Sequence, residues 1–182
     1  MFKIMKSWLR LKIRSEEGTS TIPFILFVPL FMALITSSLE MGRLLFRQMT
    51  LERGVDMAVR DLRLGSWAPT GSDQLKQRIC SYSGGIPNCM SEMHLDLWIV
   101  SKQTWAPLTT GNPVCVDRTA PIEPNVSLTT GQSNDLMMVR ACVKFKPLLP
   151  TSGFGFGMFK DATGAYALVS STAFVNEPRP GN

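Results

Sequence analysis

Between Thr19 and Leu39 the chain reads TSTIPFILFVPLFMALITSSL, with no charged side chain, directly after a basic stretch that ends at Gly18. As a helix this run rises about 31 Å, close to the roughly 30 Å hydrocarbon core of a bilayer. It predicts a transmembrane helix. A chain of 182 residues then has room for one further domain of about 115 residues with a core of its own.

The net charge of +5 is unevenly distributed. Lys3, Lys6, Arg10, Lys12 and Arg14 precede the run, against Glu16 and Glu17 only, which leaves 14 basic and 12 acidic residues for the rest of the chain. The basicity therefore makes no case for nucleic-acid binding. A cationic leader predicts that residues 1–18 stay cytoplasmic and that the C-terminal portion crosses the membrane. Arg43, Arg47 and Arg53 lie on the far side and weaken the asymmetry.

Cys80, Cys89, Cys115 and Cys142 all follow the apolar run, and none of them forms a C-x-x-C pair. That argues against a zinc or redox motif and for two disulfides in an exported domain. Three pairings exist. The local closures Cys80–Cys89 and Cys115–Cys142 need the fewest crossings, and in the loop-entropy model they contribute roughly 3 and 3.5 kcal/mol.

Secretory cleavage after the run is not expected. The run exceeds an ordinary signal h-region, and Thr36-Ser37-Ser38 is a poor cleavage site. The helix also has no stop there. From Glu40 to Leu64 there is no proline, and Met41, Leu44, Leu51, Val55, Ala58 and Leu62 recur three or four apart once Gln48 is counted as a polar member. This stripe predicts an amphipathic continuation that docks on the chain's own C-terminal domain. The expected segments are a leader at 1–18, a transmembrane helix at 19–39, its continuation at 40–64, an exported domain at 65–175 and a loose tail at 176–182.

Within the domain, Gly65–Ser72 is turn-rich, and Ser72 or Asp73 caps a short helix through about Ser81. Strands are expected at Leu95–Val100, Leu136–Lys146 and Tyr166–Val175, with a short one at Val114–Val116. In the second of these, Val139, Ala141, Val143 and Phe145 alternate with Arg140, Cys142, Lys144 and Lys146. The expected fold is α+β, a long N-terminal helix packed on a small antiparallel sheet.

A leader ending in Glu17-Gly18, the small residues Thr19-Ser20-Thr21, an apolar run with Pro29, then Glu40-Met41-Gly42-Arg43, Gln48 and a helix closing near Arg60–Arg63 together resemble a class III-type prepilin. More narrowly, they look like the TadE/TadF pseudopilin family of the tight-adherence (Flp-type) pilus. The resemblance implies a pilin-like fold, cleavage after Gly18 by a prepilin peptidase to leave Thr19 as the mature terminus, and other pilins of the inner membrane as partners. It departs from the prepilin pattern at Pro23, where a glutamate is usual. Proline is tolerated in a first helical turn, but it cannot contact a neighbour's terminal amine. A minor pilin, initiator or assembly factor is therefore expected rather than a bulk fibre subunit. The helix residues expected to matter are Thr19, Pro23, Pro29, Leu39, Glu40 and Arg43.

No catalytic, cofactor or metal residues are nominated. His94, the only histidine, lies between Glu92 and Asp96 with no nucleophile to serve. Gly153-Phe154-Gly155-Phe156-Gly157 lacks the spacing of a phosphate loop, and reads as a loop with its phenylalanines tucked inward, or as an aromatic tip meeting another subunit. Asn125-Val126-Ser127 matches a glycosylation sequon without further meaning. Two alternatives remain beside the pilus reading. One is a bitopic envelope receptor or scaffold that is not cleaved at Gly18, and the other is an envelope enzyme.

Overall fold

The computed structural model describes residues 20–64, 67, 71–106, 115–116, 129 and 131–177. Gly18 and Thr19, the leader, Val114, the sequon and the end of the tail lie outside the described residues.

Helix α1, Thr21–Arg63, runs for 43 residues through both predicted halves, about 65 Å at the usual rise. Pro23 stands in its first turn, where a backbone N–H has no intrahelical acceptor. Pro29 lies inside the helix and removes one backbone hydrogen bond, yet the helix continues through it. Arg60 and Arg63 occupy the last turn, where cations favour the negative end of the helix dipole.

Helix α2 (Ser72–Ser83) and the short α3 (Cys89–Glu92) lead into strand β1 (Met93–Val100), followed by β2 (Leu136–Phe145), the one-turn helix α4 (Gly153–Gly157) and β3 (Tyr166–Val175). The strands form an antiparallel sheet in the order β1-β2-β3. Leu95 pairs with Ala141, and Ala141 with Ser170. The α+β architecture is present.

One sheet face carries Leu95, Leu97, Val139, Ala141, Val143, Leu168 and Phe174, which join Leu51, Val55, Ala58 and Leu62 of α1 and Leu75 and Ile79 of α2 in a single core. Each fully buried Leu, Ile or Val there contributes roughly 1.5–3 kcal/mol. At Gly54 the two helices approach closely, since a β-carbon would stand 2.8 Å from the Ile79 carbonyl oxygen and collide with the Ser83 hydroxyl. Asp61 reinforces that contact by accepting from Arg78 Nε at 3.0 Å and Tyr82 Oη at 2.7 Å.

Several details differ from the sequence expectations. The helical stripe turns slightly, so that Met41 is exposed while Glu40, Arg47, Gly54 and Val59 are buried. β1 begins two residues early and takes His94 into the sheet. Cys115 and Val116 carry no strand. β2 alternates in side-chain direction but not in burial, because Arg140 and Cys142 on its second face are also buried. The Cys115–Cys142 bond accounts for part of this by bringing the buried Val116 to that face. Asn176 and Glu177, expected in a loose tail, are held: Asn176 exchanges backbone hydrogen bonds with Asn134 and Asp135, and Glu177 pairs with Arg63 at 3.0 Å.

Candidate functional site

Along α1 the physical environment changes at Leu39. On the N-terminal side, Phe24, Leu26, Phe27, Leu30, Phe31 and Leu34 are all more than half exposed. The helix is long and apolar enough to cross a membrane, and its apolar window is not buried by the other described residues. Two of its hydroxyls bond back to the helix, with Thr36 Oγ1 donating to the Met32 carbonyl at 2.9 Å and Ser38 Oγ to that of Ile35 at 2.8 Å. Such back-bonding is what a hydroxyl needs where no water is available. Pro29 and Leu39 are exposed with the rest of the run, as is Pro23.

Beyond Leu39 the helix is clamped to the domain. Glu40 is buried, and its carboxylate accepts from the backbone N–H of Leu148 and of Leu149, each at 3.1 Å. Two turns on, the buried Arg47 lays its guanidinium 4.3 Å from the Phe145 ring centroid and donates to Tyr166 Oη at 3.3 Å. Gln48 reaches the Val169 carbonyl at 3.2 Å. Arg43 is half-buried between them. Neither Glu40 nor Arg47 was assigned a docking role from sequence. The signal was present in helical phase: positions 40, 47, 51, 54, 58 and 62 share one face.

These contacts fix the direction of the sheet. Arg47 meets Tyr166 at the start of β3 and Arg63 meets Glu177 just past its end, so β3 runs parallel to α1, away from the apolar half. β2 runs back towards it and delivers the β2–β3 connection to the point where α1 becomes bare. There Lys144 Nζ pairs with Asp161 Oδ2 at 2.8 Å. Asp161 also accepts from the Thr163 hydroxyl and from the backbone N–H groups of Thr163 and Ala165. Lys144 first, then the Thr163 hydroxyl, hold the Asp161 carboxyl well below the usual carboxylate range. Asp61 is lowered as well, chiefly by the Tyr82 hydroxyl and then by Arg78, against an opposing effect of burial.

The disulfides are Cys80–Cys89, joining α2 to α3, and Cys115–Cys142, joining the segment after β1 to the middle of β2. His94 is buried and lies 3.3 Å from Asp96. Among the described residues no three His, Cys, Asp or Glu side chains gather as a metal site would require. The Gly153–Gly157 segment is a helical turn rather than a loop, and its phenylalanines divide: Phe154 is half-buried, whereas Phe156 is 81% exposed and the nearby Phe159 is fully exposed. The most closely packed position of the turn is Gly155, next to the Leu149 carbonyl, and Phe156 follows it on the outside.

A helix bare and apolar over one half, and docked on a small disulfide-bonded sheet domain over the other, defines an α+β protein with a membrane-spanning type of helix. Residues 18–60 match the family of TadE-like proteins, the likeness read from Glu17–Arg63. The match takes in about a quarter of the chain and crosses both halves of α1, from Gly18 to the turn before its end. No curated protein and no solved structure matches the chain.

Proposed function

We propose that this protein is a minor pilin, or pseudopilin, of tight-adherence pilus biogenesis and that it has no enzymatic activity. The apolar half of α1 lies in the inner membrane, with the leader cytoplasmic and the sheet domain periplasmic. Assembly proceeds by lateral packing of this span against the spans of other pilins. Ser37 and Ser38 are small enough to permit close helix approach, and the sheet domain supplies specificity.

One observation carries this reading: the TadE-like segment is the segment whose apolar half the protein's own fold leaves uncovered. An anchor needs only to be apolar. A family-specific sequence that continues from the span into the docked half supports a role for the helix beyond anchoring. Processing by a prepilin peptidase after Gly18 belongs to the same proposal. Its test is the intact mass of the protein purified from cells with and without the peptidase. The mature form should be about 2 kDa lighter, given 20.2 kDa over 182 residues, and should begin at Thr19. An unchanged leader in peptidase-positive cells would favour the uncleaved envelope scaffold instead.

A further inference from the structure

We propose that the β2–β3 connection is a membrane-interface foot, whose Leu148, Phe156 and Phe159 enter the lipid surface beside the point where α1 leaves the bilayer. This rests on the reading of α1 as a membrane span. It adds a second contact between the domain and the same membrane, made by residues far outside the TadE-like segment.

The placement follows from the topology. Antiparallel neighbours are commonly joined by two to five residues, yet β2 and β3 are separated by the twenty residues between Phe145 and Tyr166. The connection is anchored to α1 at two levels. Glu40 holds the backbone of Leu148 and Leu149, and Gly153 lies against Ser37, where a β-carbon would stand 3.4 Å from the hydroxyl oxygen. Ser37 is two residues inside the uncharged run, roughly 3 Å by the helical rise. Insertion of α1 therefore carries α4 to the boundary between hydrocarbon and headgroups.

The chemistry suits that boundary. Residues 146–160, KPLLPTSGFGFGMFK, contain no acidic side chain and are bracketed by Lys146 and Lys160. Leu148 is 60% exposed, Phe156 81% and Phe159 fully exposed. Aromatic side chains concentrate at membrane interfaces, and apolar groups beside lysines bind anionic lipid surfaces through combined burial and attraction. The presentation is built rather than incidental. Ser152 caps the turn by accepting from Gly155 N at 3.0 Å, and its carbonyl accepts from Phe156 N at 2.8 Å. Gly155 has no room for a side chain, since a β-carbon would lie 2.5 Å from the Leu149 carbonyl oxygen.

The test uses the full chain in nanodiscs containing phosphatidylglycerol. A benzophenone amino acid is placed at Phe156, at Phe159, at Phe31 in the span, or at Trp105, which lies just past the opposite end of β1. After illumination, lipid adducts are measured by mass spectrometry. Adducts are expected at Phe31, Phe156 and Phe159, with yields at the latter two at least about tenfold above that at Trp105. Adducts at Phe31 alone, or crosslinks from Phe156 and Phe159 to a second copy of the chain, would overturn the foot while leaving the span intact. Failure at Phe31 would overturn the span, and the foot with it.

Discussion

The two halves of α1 differ in what surrounds their apolar side chains. From Leu51 to Leu62 the apolar stripe of Leu51, Val55, Ala58, Val59 and Leu62 is buried against the sheet and α2, and Glu52, Arg53, Asp56 and Arg60 are exposed. From Ile22 to Leu39 large apolar side chains point outward around the helix, and no part of the chain's described structure covers them. The junction is made at Glu40 and Arg47. A carboxylate and a guanidinium just beyond an uncharged run of this length would ordinarily remain hydrated. Here both turn inward, onto backbone amides in one case and onto an aromatic ring and a phenol in the other. The domain can thus sit directly under the span without presenting those two charges to it. Where a helix emerges from a membrane, then, the residues that look like interface charges can be the residues that dock the domain.

Perturbations of the docked half should lower domain stability without affecting insertion of the bare half. The largest effect is expected from removing a disulfide. Replacing Cys115 and Cys142 together by serine should cost about 2–5 kcal/mol, read as a lower unfolding temperature of the purified protein in detergent. Gly54→Val comes next, because its side chain must separate α1 from α2 at Ile79 and Ser83. A loss of about 1–3 kcal/mol is expected, and an unchanged unfolding temperature would contradict the close contact. Glu40→Ala leaves two part-buried amide donors without their acceptor, costing about 1–2 kcal/mol. Hydrogen exchange at Leu148 and Leu149 should accelerate while the span stays protected by detergent or lipid.

The smallest effect is that of acid. Asp61 and Asp161 both have folded pKa values below the ordinary carboxylate value. Their contribution is therefore fully present above about pH 4 and is lost as pH falls through the folded values. Asp161→Asn should flatten that acid loss, by less than about 1 kcal/mol because the ion pair is partly solvated. A steeper acid loss in the variant would reverse the sign assigned here.

Strong local signals made much of this fold legible in the sequence. The uncharged run, the proline-free continuation and the β-branched strand Tyr166–Val175 each follow one period without competition. Burial set by tertiary partners was less legible. Arginine usually faces solvent, yet Arg47 and Arg140 each lie over an aromatic ring, at 4.3 Å from Phe145 and 5.0 Å from Trp98. The docking role of Glu40 is not legible in sequence, since its backbone acceptance joins residues more than a hundred positions apart. The Gly153–Gly157 turn shows the same limit. Its composition is compatible with inward phenylalanines and with an aromatic tip, and the turn divides them, with Phe154 half-buried and Phe156 exposed on either side of the packed Gly155.

The central claim, that the bare half of α1 works in assembly as well as anchoring, is tested most directly by exchanging it. Residues 22–39 can be replaced by a leucine–alanine span of equal length, with Gly18 through Thr21 and all residues from Glu40 onward unchanged. Surface pili are then counted in a strain lacking the native gene. A processed, membrane-inserted protein with a folded, disulfide-bonded domain is expected, with few or no pili. Normal pili from the exchanged protein would contradict it, and would reduce the helix to an anchor.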